Sequence, residues 1–198
     1  MKRTLDLVLS TLALLALVPV LLVLAMLVRF ALGSPVIFRQ QRPGLHGKPF
    51  WLFKLRTMAL HRDLEDGNPT DGERLGPFGR WLRSTSLDEL PELWNVMRGD
   101  MSLVGPRPLL MEYLPLYSPQ QSRRQEVRPG LTGWAQIKGR NAVTWKERLE
   151  LDVWYVDNRS MRLDLCILWR TVLIVLSRKG VSQQGHATME KFRGNHET

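Results

Sequence analysis

The sequence predicts an α+β, mainly helical chain. An N-terminal membrane helix leads into a body with a small β-hairpin and amphipathic interfacial helices. Three observations carry that expectation: an uncharged apolar run over residues 7–28, two strand-like stretches at 36–41 and 50–55 joined by turn residues, and helix-start chemistry at Thr144 and Glu147. An apolar run of about 20 residues is long enough to enter a bilayer. Its Leu and Val residues alone favour insertion by about 5 kcal/mol.

Pro19 lies near the middle of that run. It donates no backbone hydrogen bond, so the carbonyl of Leu15 loses its helical partner and the helix is expected to kink. Lys2 and Arg3 precede the run, and Arg29, Arg39, Arg42, Lys48, Lys54 and Arg56 follow it. Positive charge favours the cytoplasmic side. With both flanks basic, the run is either a reentrant helix-break-helix that dips into one leaflet and returns, or a kinked spanning helix. Either path leaves the body in the cytoplasm. A cleaved signal peptide, with 31–33 as the small-residue site, fits less well, because the run exceeds the usual length and Arg29 interrupts the approach.

The segment between the two strands, residues 42–48, carries Pro43, Gly44 and Gly47 and predicts a hairpin turn. Residues 61–76 are polar, with Gly67, Asn68, Pro69 and Gly72, and predict a loop, either an inert surface segment or a lid. A helix is expected from near Asp88 to about Arg98, with Pro91 in its first turn. Residues 105–108 and 128–130 are Pro- and Gly-fixed and non-helical. Thr144 and Glu147 have capping-box spacing and open an amphipathic helix through Val156. Residues 163–176 are apolar but interrupted by Asp164 and Arg170, which suits a helix on the membrane surface or packed on the core. The expected division is residues 1–33 in the membrane, 34–179 as the body and 180–198 as a loosely attached polar tail.

Lys and Arg number 28 against 19 Asp and Glu, a net charge of +9. That excess implies an anionic partner, whether nucleic acid, anionic lipid or a phosphorylated substrate. The single cysteine, Cys166, excludes an internal disulfide and reads as a small hydrophobe. The four His lack metal-ligand spacing, and neither the phosphate-loop nor the dinucleotide glycine pattern occurs.

Asp88-Glu89 is the pair with most chemical promise. One reading is structural: Asp88 caps the helix, or Ser86 and Glu89 form a capping box. The other is chemical. A helix start attracts phosphate and keeps a carboxylate ionised, an ionised Asp can attack phosphorus, and an adjacent Glu can hold Mg²⁺. Lys54, Arg56, Arg83, Arg107 and Arg140 are candidate cations for a diphosphate. Arg107 is braced between two prolines, and Arg140 follows the permissive Gly139.

Three long stretches resemble a known family: SPVIFRQQRPGLHGKPFWLFKLRTM from Ser34, RSTSLDELPELWNVMRGDMSLVGPRPLL from Arg83, and RPGLTGWAQIKGRNAVTWKERLELDVWYV from Arg128. They resemble the bacterial sugar transferases, the monotopic phosphoglycosyl transferases, and the tail GVSQQGHATMEKFRG from Gly180 is similar to the small PglC type. The resemblance implies a reentrant membrane helix, a cytoplasmic active site at the bacterial inner membrane and Mg²⁺ dependence. It implies a UDP-sugar, by the tail an N-acetylated one, with undecaprenyl phosphate and membrane lipid as partners and no nucleic acid. In the chemistry it implies, Asp88 attacks the β-phosphate, UMP leaves, and the lipid phosphate then takes the phosphosugar from Asp88. Glu89 binds Mg²⁺, and Lys54, Arg83, Arg107 and Arg140 hold phosphates. One position departs: Val18 precedes the membrane proline where the small enzymes often carry Ser, which could satisfy a freed carbonyl.

Two other functions compete. A membrane-tethered basic binder explains the charge but not the carboxylate pair beside Arg107. A phosphatase would use the same Asp and Mg²⁺.

Overall fold

The computed structural model describes residues 1–60, 71–139, 143–177 and 191–194. The chain opens with helix α1 (Lys2–Leu32), followed by strands β1 (Ile37–Pro43) and β2 (Pro49–Leu55). Three short helices follow, α2 (Asp71–Arg74), α3 (Pro77–Ser84) and α4 (Glu92–Arg98), with a 3₁₀ turn at Leu87–Glu89 between the last two. Strand β3 (Ser102–Val104), helix α5 (Pro119–Ser122), strand β4 (Gly130–Thr132) and helix α6 (Trp134–Lys138) lead to the long helices α7 (Trp145–Asn158) and α8 (Met161–Ser177). The mainly helical expectation holds.

β1 and β2 form the expected antiparallel hairpin, with Arg42 opposite Phe50, Gln40 opposite Leu52 and Phe38 opposite Lys54. Facing residues share one side of a sheet, so Arg42, Gln40, Leu52 and Lys54 all lie on the same face. A second, parallel pair joins β3 to β4, with Ser102 opposite Gly130 and Val104 opposite Thr132.

α1 is long and apolar enough to cross a membrane. It is one helix from Lys2 to Leu32 with Pro19 inside it. A proline removes one hydrogen bond, and packing on both sides of it holds the two arms. Ala13, Leu14 and Leu17 pack against a core of Leu52, Leu93, Val96, Met101 and Ile167. Leu24 and Val28 pack with Leu55 and Leu82.

Both ends of α1 are fastened to the same body. Lys2 Nζ donates to Asp164 at 2.6 Å and to the Val104 carbonyl at 3.0 Å. Arg3 donates to the Val96 and Met97 carbonyls, and Asp6 accepts from Ser102 Oγ and the Leu103 amide. At the other end Arg56, buried, donates to the carbonyls of Leu32 and Ser34. Arg56 is therefore occupied as a cap on α1, one of its own uses for charge. The opposite side of α1, including Leu12, Leu15, Leu22, Met26 and Phe30, is exposed. A patch that apolar marks a surface for lipid or a partner.

α8 packs one face on the core and leaves the other exposed. Asp164 and Ile167 are buried, while Leu165, Trp169, Val172 and Leu173 are exposed. Asp164 interrupts the apolar stretch because it receives Lys2 and the Tyr155 hydroxyl. The Thr144–Glu147 capping box forms as expected. Residues 61–70 of the expected loop lie outside the described residues, and its end forms α2. Within the expected loose tail, Phe192 is buried against Tyr113, Tyr117 and Trp145.

Candidate active site

The 3₁₀ turn that carries Asp88 and Glu89 begins after Ser86, whose φ of 56° places it in the left-handed region. Ser86 makes no side-chain cap bond. The capping-box reading fails because Glu89 turns toward cations instead. Pro91 is the N-cap of α4, so Asp88 sits one turn ahead of the helix rather than at its cap.

Asn95 fixes that turn against the hairpin. Fully buried on α4, it accepts from the Phe53 amide at 3.1 Å and donates to the Trp51 carbonyl at 2.7 Å. Both ends of one amide thus pair with the backbone of β2, which brings Lys54 to the carboxylates. Lys54 Nζ lies 2.8 Å from Glu89 Oε1 and 2.9 Å from Glu92 Oε1. Arg107 donates to both oxygens of Glu89.

The backbone around Arg107 is held from two sides. Arg124 donates to its carbonyl at 2.6 Å and to Asp152 at 2.8 and 3.1 Å, and both Arg124 and Asp152 are buried. Gly105 meets Gly130 backbone to backbone: a Cβ on Gly130 would stand 2.1 Å from the Gly105 nitrogen. Only glycine permits that approach.

The neighbouring carboxylates differ electrostatically. Burial would push Glu89 up, but Arg107 and Lys54 overcome it and hold the carboxyl well below the usual range. Burial pushes Asp88 up to about 6, reinforced by Glu89 and opposed by Lys54, Arg83 and Arg107. Burial also pushes Glu92 up to about 6 against the pull of Lys54. Asp88 is buried, and its carboxylate makes no ion pair or hydrogen bond among the described residues. Arg83 donates to Thr57 at 3.0 Å and lies near enough to Asp88 to feel its charge.

The structure thus brings Asp88, Glu89, Lys54, Arg83 and Arg107 together. Arg140 lies outside the described residues. Pro19 is on the exposed side of α1. Sequence reading missed Glu92, Asn95 and the Arg124–Asp152 pair. Glu92 had a signal, since it follows Asp88 at helical spacing; the others depend on contacts between distant segments.

Among the described residues no three His, Cys, Asp or Glu cluster as a metal cage. Mg²⁺ does not need one, since it binds through one or two carboxylates plus substrate phosphates. Glu89 uses three acceptor directions of about four. With Asp88 beside it, the pair fits Mg²⁺ that takes its other ligands from a diphosphate.

The profile of the family described as bacterial sugar transferase matches residues 1–178. The chain is 54% identical over 195 residues to EpsL of Bacillus subtilis strain 168, an uncharacterized sugar transferase, covering 98% of this chain and 96% of that protein. It is 38% identical over 197 residues to an undecaprenyl-phosphate galactose phosphotransferase of Salmonella typhimurium, covering 91% of this chain and 41% of that protein. It is 40% identical over 182 residues to a UDP-glucose:undecaprenyl-phosphate glucose-1-phosphate transferase of Escherichia coli K12, covering 87% of this chain and 39% of that protein. This chain spans about two fifths of the length of those last two relatives. By the extent of the profile match and by these identities, the chain belongs to the bacterial sugar transferase family.

Proposed function

We propose that this chain is a polyprenyl-phosphate sugar-1-phosphate transferase, taking sugar-1-phosphate from a UDP-sugar to undecaprenyl phosphate in the first membrane step of glycan assembly. The observation that carries the reading is Asp88: a buried carboxylate with no ion pair or hydrogen bond among the described residues, while Lys54 and Arg107 are drawn onto its neighbour Glu89. The names of the relatives support the substrate pair.

In this reading an Asp88 oxygen attacks the β-phosphorus of the donor. The bond from that phosphorus to the bridging oxygen breaks, and UMP leaves with the electron pair. A phosphate oxygen of the lipid then attacks the same phosphorus, the Asp88–phosphorus bond breaks, and the carboxylate is regenerated. Lys54, Arg83 and Arg107 match charge that builds on the phosphoryl oxygens; Arg140 is proposed for the same task. A well-placed donor of this kind is worth about 3–4 kcal/mol of transition-state stabilisation. Glu89 keeps Lys54 and Arg107 aimed at the reacting centre. Mg²⁺ bound at Glu89 would neutralise diphosphate charge.

The reading also puts α1 in the cytoplasmic leaflet of the inner membrane as a reentrant element, with the body on the cytoplasmic face. The fastening of both ends of α1 to one body supports this path. The lipid phosphate then reaches Asp88 without entering hydrocarbon, which would be costly for a charged group. The relatives' names carry glucose and galactose, so the N-acetylated donor expected from the tail gains no support from them. That tail lies largely outside the described residues.

The test is to incubate the protein with Mg²⁺, undecaprenyl phosphate and each of a set of UDP-sugars, and to measure UMP and lipid-linked product. A transferase yields both. Release of inorganic phosphate without lipid product would mean a phosphatase, and release of neither would mean a binding protein. Labelled donor without acceptor should leave a phosphosugar on the peptide containing Asp88, and Asp88→Asn should abolish both adduct and UMP.

A further inference from the structure

The C-terminal segment is fastened to the body through one side chain. Phe192 lies well past the end of α8, yet it is only 5% exposed. Its ring meets Tyr113 edge-on with 5.7 Å between ring centres, and tilts against Tyr117 at 5.8 Å and Trp145 at 5.5 Å. Aromatic pairs of this kind add preferred geometry to apolar burial, so they fix where the rings sit. The neighbouring Lys191–Glu112 pair, at 3.8 Å and well exposed, adds little. Docking of the segment therefore falls to Phe192.

The cluster that Phe192 completes is joined to the Arg107 segment by two routes. Leu109, just after Pro108, is a buried member of the same cluster. Tyr117 is another, and the Arg124 guanidinium lies over its ring, 5.6 Å from the centre, and donates to its hydroxyl at 3.4 Å. The same guanidinium donates to the Arg107 carbonyl at 2.6 Å. Tyr117 thus touches both the tail and the side chain that grips Arg107. The other support of Arg124, Asp152, stands on the long helix α7. Tyr117 has no such frame: it follows the short 3₁₀ helix Met111–Leu116 in extended backbone, so packing fixes its ring. Without Phe192 that ring would border a void, and close-packed neighbours shift into such gaps.

We propose that Phe192 is a positioning residue for Arg107: by completing the aromatic cluster it steadies Tyr117, which keeps Arg124 on the Arg107 carbonyl, so the C-terminal segment takes part in assembling the active site. The proposal rests on the transferase reading for the task that Arg107 performs; the placement of Arg107 is tested separately from turnover.

The full chain, wild type and as Phe192→Ala, is purified in nanodiscs, and UMP release is followed at temperatures where thermal melts show each to be folded. Loosening a positioned transition-state group should lower kcat about tenfold. An unchanged kcat, with the loss confined to the melting temperature, would overturn the proposal. The route is tested by a double-mutant cycle with Tyr117→Leu, which removes the ring that Phe192 and Arg124 both touch. If Phe192 acts through Tyr117, the two losses overlap and the double variant is about as slow as the slower single one. Losses that multiply would overturn the route. A further readout needs no turnover: amide hydrogen exchange in the peptide spanning residues 103–110 should quicken in Phe192→Ala while peptides from α1 keep their wild-type rates. No change around Arg107, or equal acceleration everywhere, would leave Phe192 a purely structural residue and overturn the proposal. A wild type that releases no UMP defeats the transferase reading, while the exchange rates still judge Phe192. If Phe192→Ala does not fold, Phe192→Leu, which keeps apolar bulk without the ring, carries the same readouts with the same criteria.

Discussion

Asp88 and Glu89 are adjacent, yet among the described residues only Glu89 of the two forms ion pairs. Lys54 and Arg107 keep it ionised at any working pH, whereas burial and the charge of Glu89 push Asp88 up to about 6. A nucleophilic carboxylate must be ionised, so kcat/KM should fall as pH drops through about 6, with a flat profile above it. Glu92 also titrates at about 6, so the limb should persist in Glu92→Gln; its disappearance there would assign it to Glu92 instead. Stability should move in the opposite sense. The folded-state pKa of Asp88 lies above the ordinary 3.8. Folding is therefore favoured by the protonated form, and that stabilisation is complete at low pH and lost as pH rises through about 6. Asn stands in for the protonated form. Asp88→Asn should accordingly be more stable than wild type at pH 8, by about 3 kcal/mol, with the gap closing below about pH 4. Thermal melts across that range measure it, and a variant less stable at pH 8 would show that Asp88 serves the fold.

Among the elements, α4 and the segment around Arg107 are fixed by contacts that span the chain. Asn95 pairs with β2, and the Arg124–Asp152 ion pair grips the Arg107 carbonyl. Asp152→Asn leaves Arg124 buried without its counter-charge, which costs about 3–5 kcal/mol. It should also loosen Arg107, so kcat/KM should fall even at temperatures where the variant is fully folded. Unchanged activity in folded Asp152→Asn would confine the pair to stability. These elements also show what the sequence could reveal. The hairpin and the Thr144–Glu147 capping box were legible because turn residues and a cap act over a few neighbours. β3 and β4 were not, since each is a buried three-residue strand and their pairing joins Ser102 to Gly130. Asp88 and Glu89 were legible as a pair, but their unequal roles come from Lys54 and Arg107, which the fold supplies from elsewhere. Arg56 was read as a substrate cation because its charge was visible and its use as a cap on α1 was not.

For the whole molecule the central question is how α1 meets the membrane. A helix of 31 residues measures about 46 Å along its axis, more than enough to cross a hydrocarbon core of about 30 Å. Length alone therefore favours a span. The contacts argue otherwise. Lys2, Arg3 and Asp6 bond to α4, β3 and α8, and Leu32 bonds to Arg56 just past β2, so the two ends share one body. A spanning α1 would have to release one set, stranding the buried carboxylates of Asp6 and Asp164. Breaking such pairs costs several kcal/mol. Retaining both sets keeps the ends of α1 on one side, with the exposed row from Leu12 to Phe30 facing lipid. Cys166 is the single native cysteine, so a Cys166→Ser background allows single probes at Thr4→Cys and Ser34→Cys, both at exposed positions. A membrane-impermeant maleimide should label both in inverted vesicles and neither in spheroplasts. Labelling of the Thr4 probe from outside spheroplasts would establish a span, and with it a body that lets go of Lys2, Arg3 and Asp6 in the membrane.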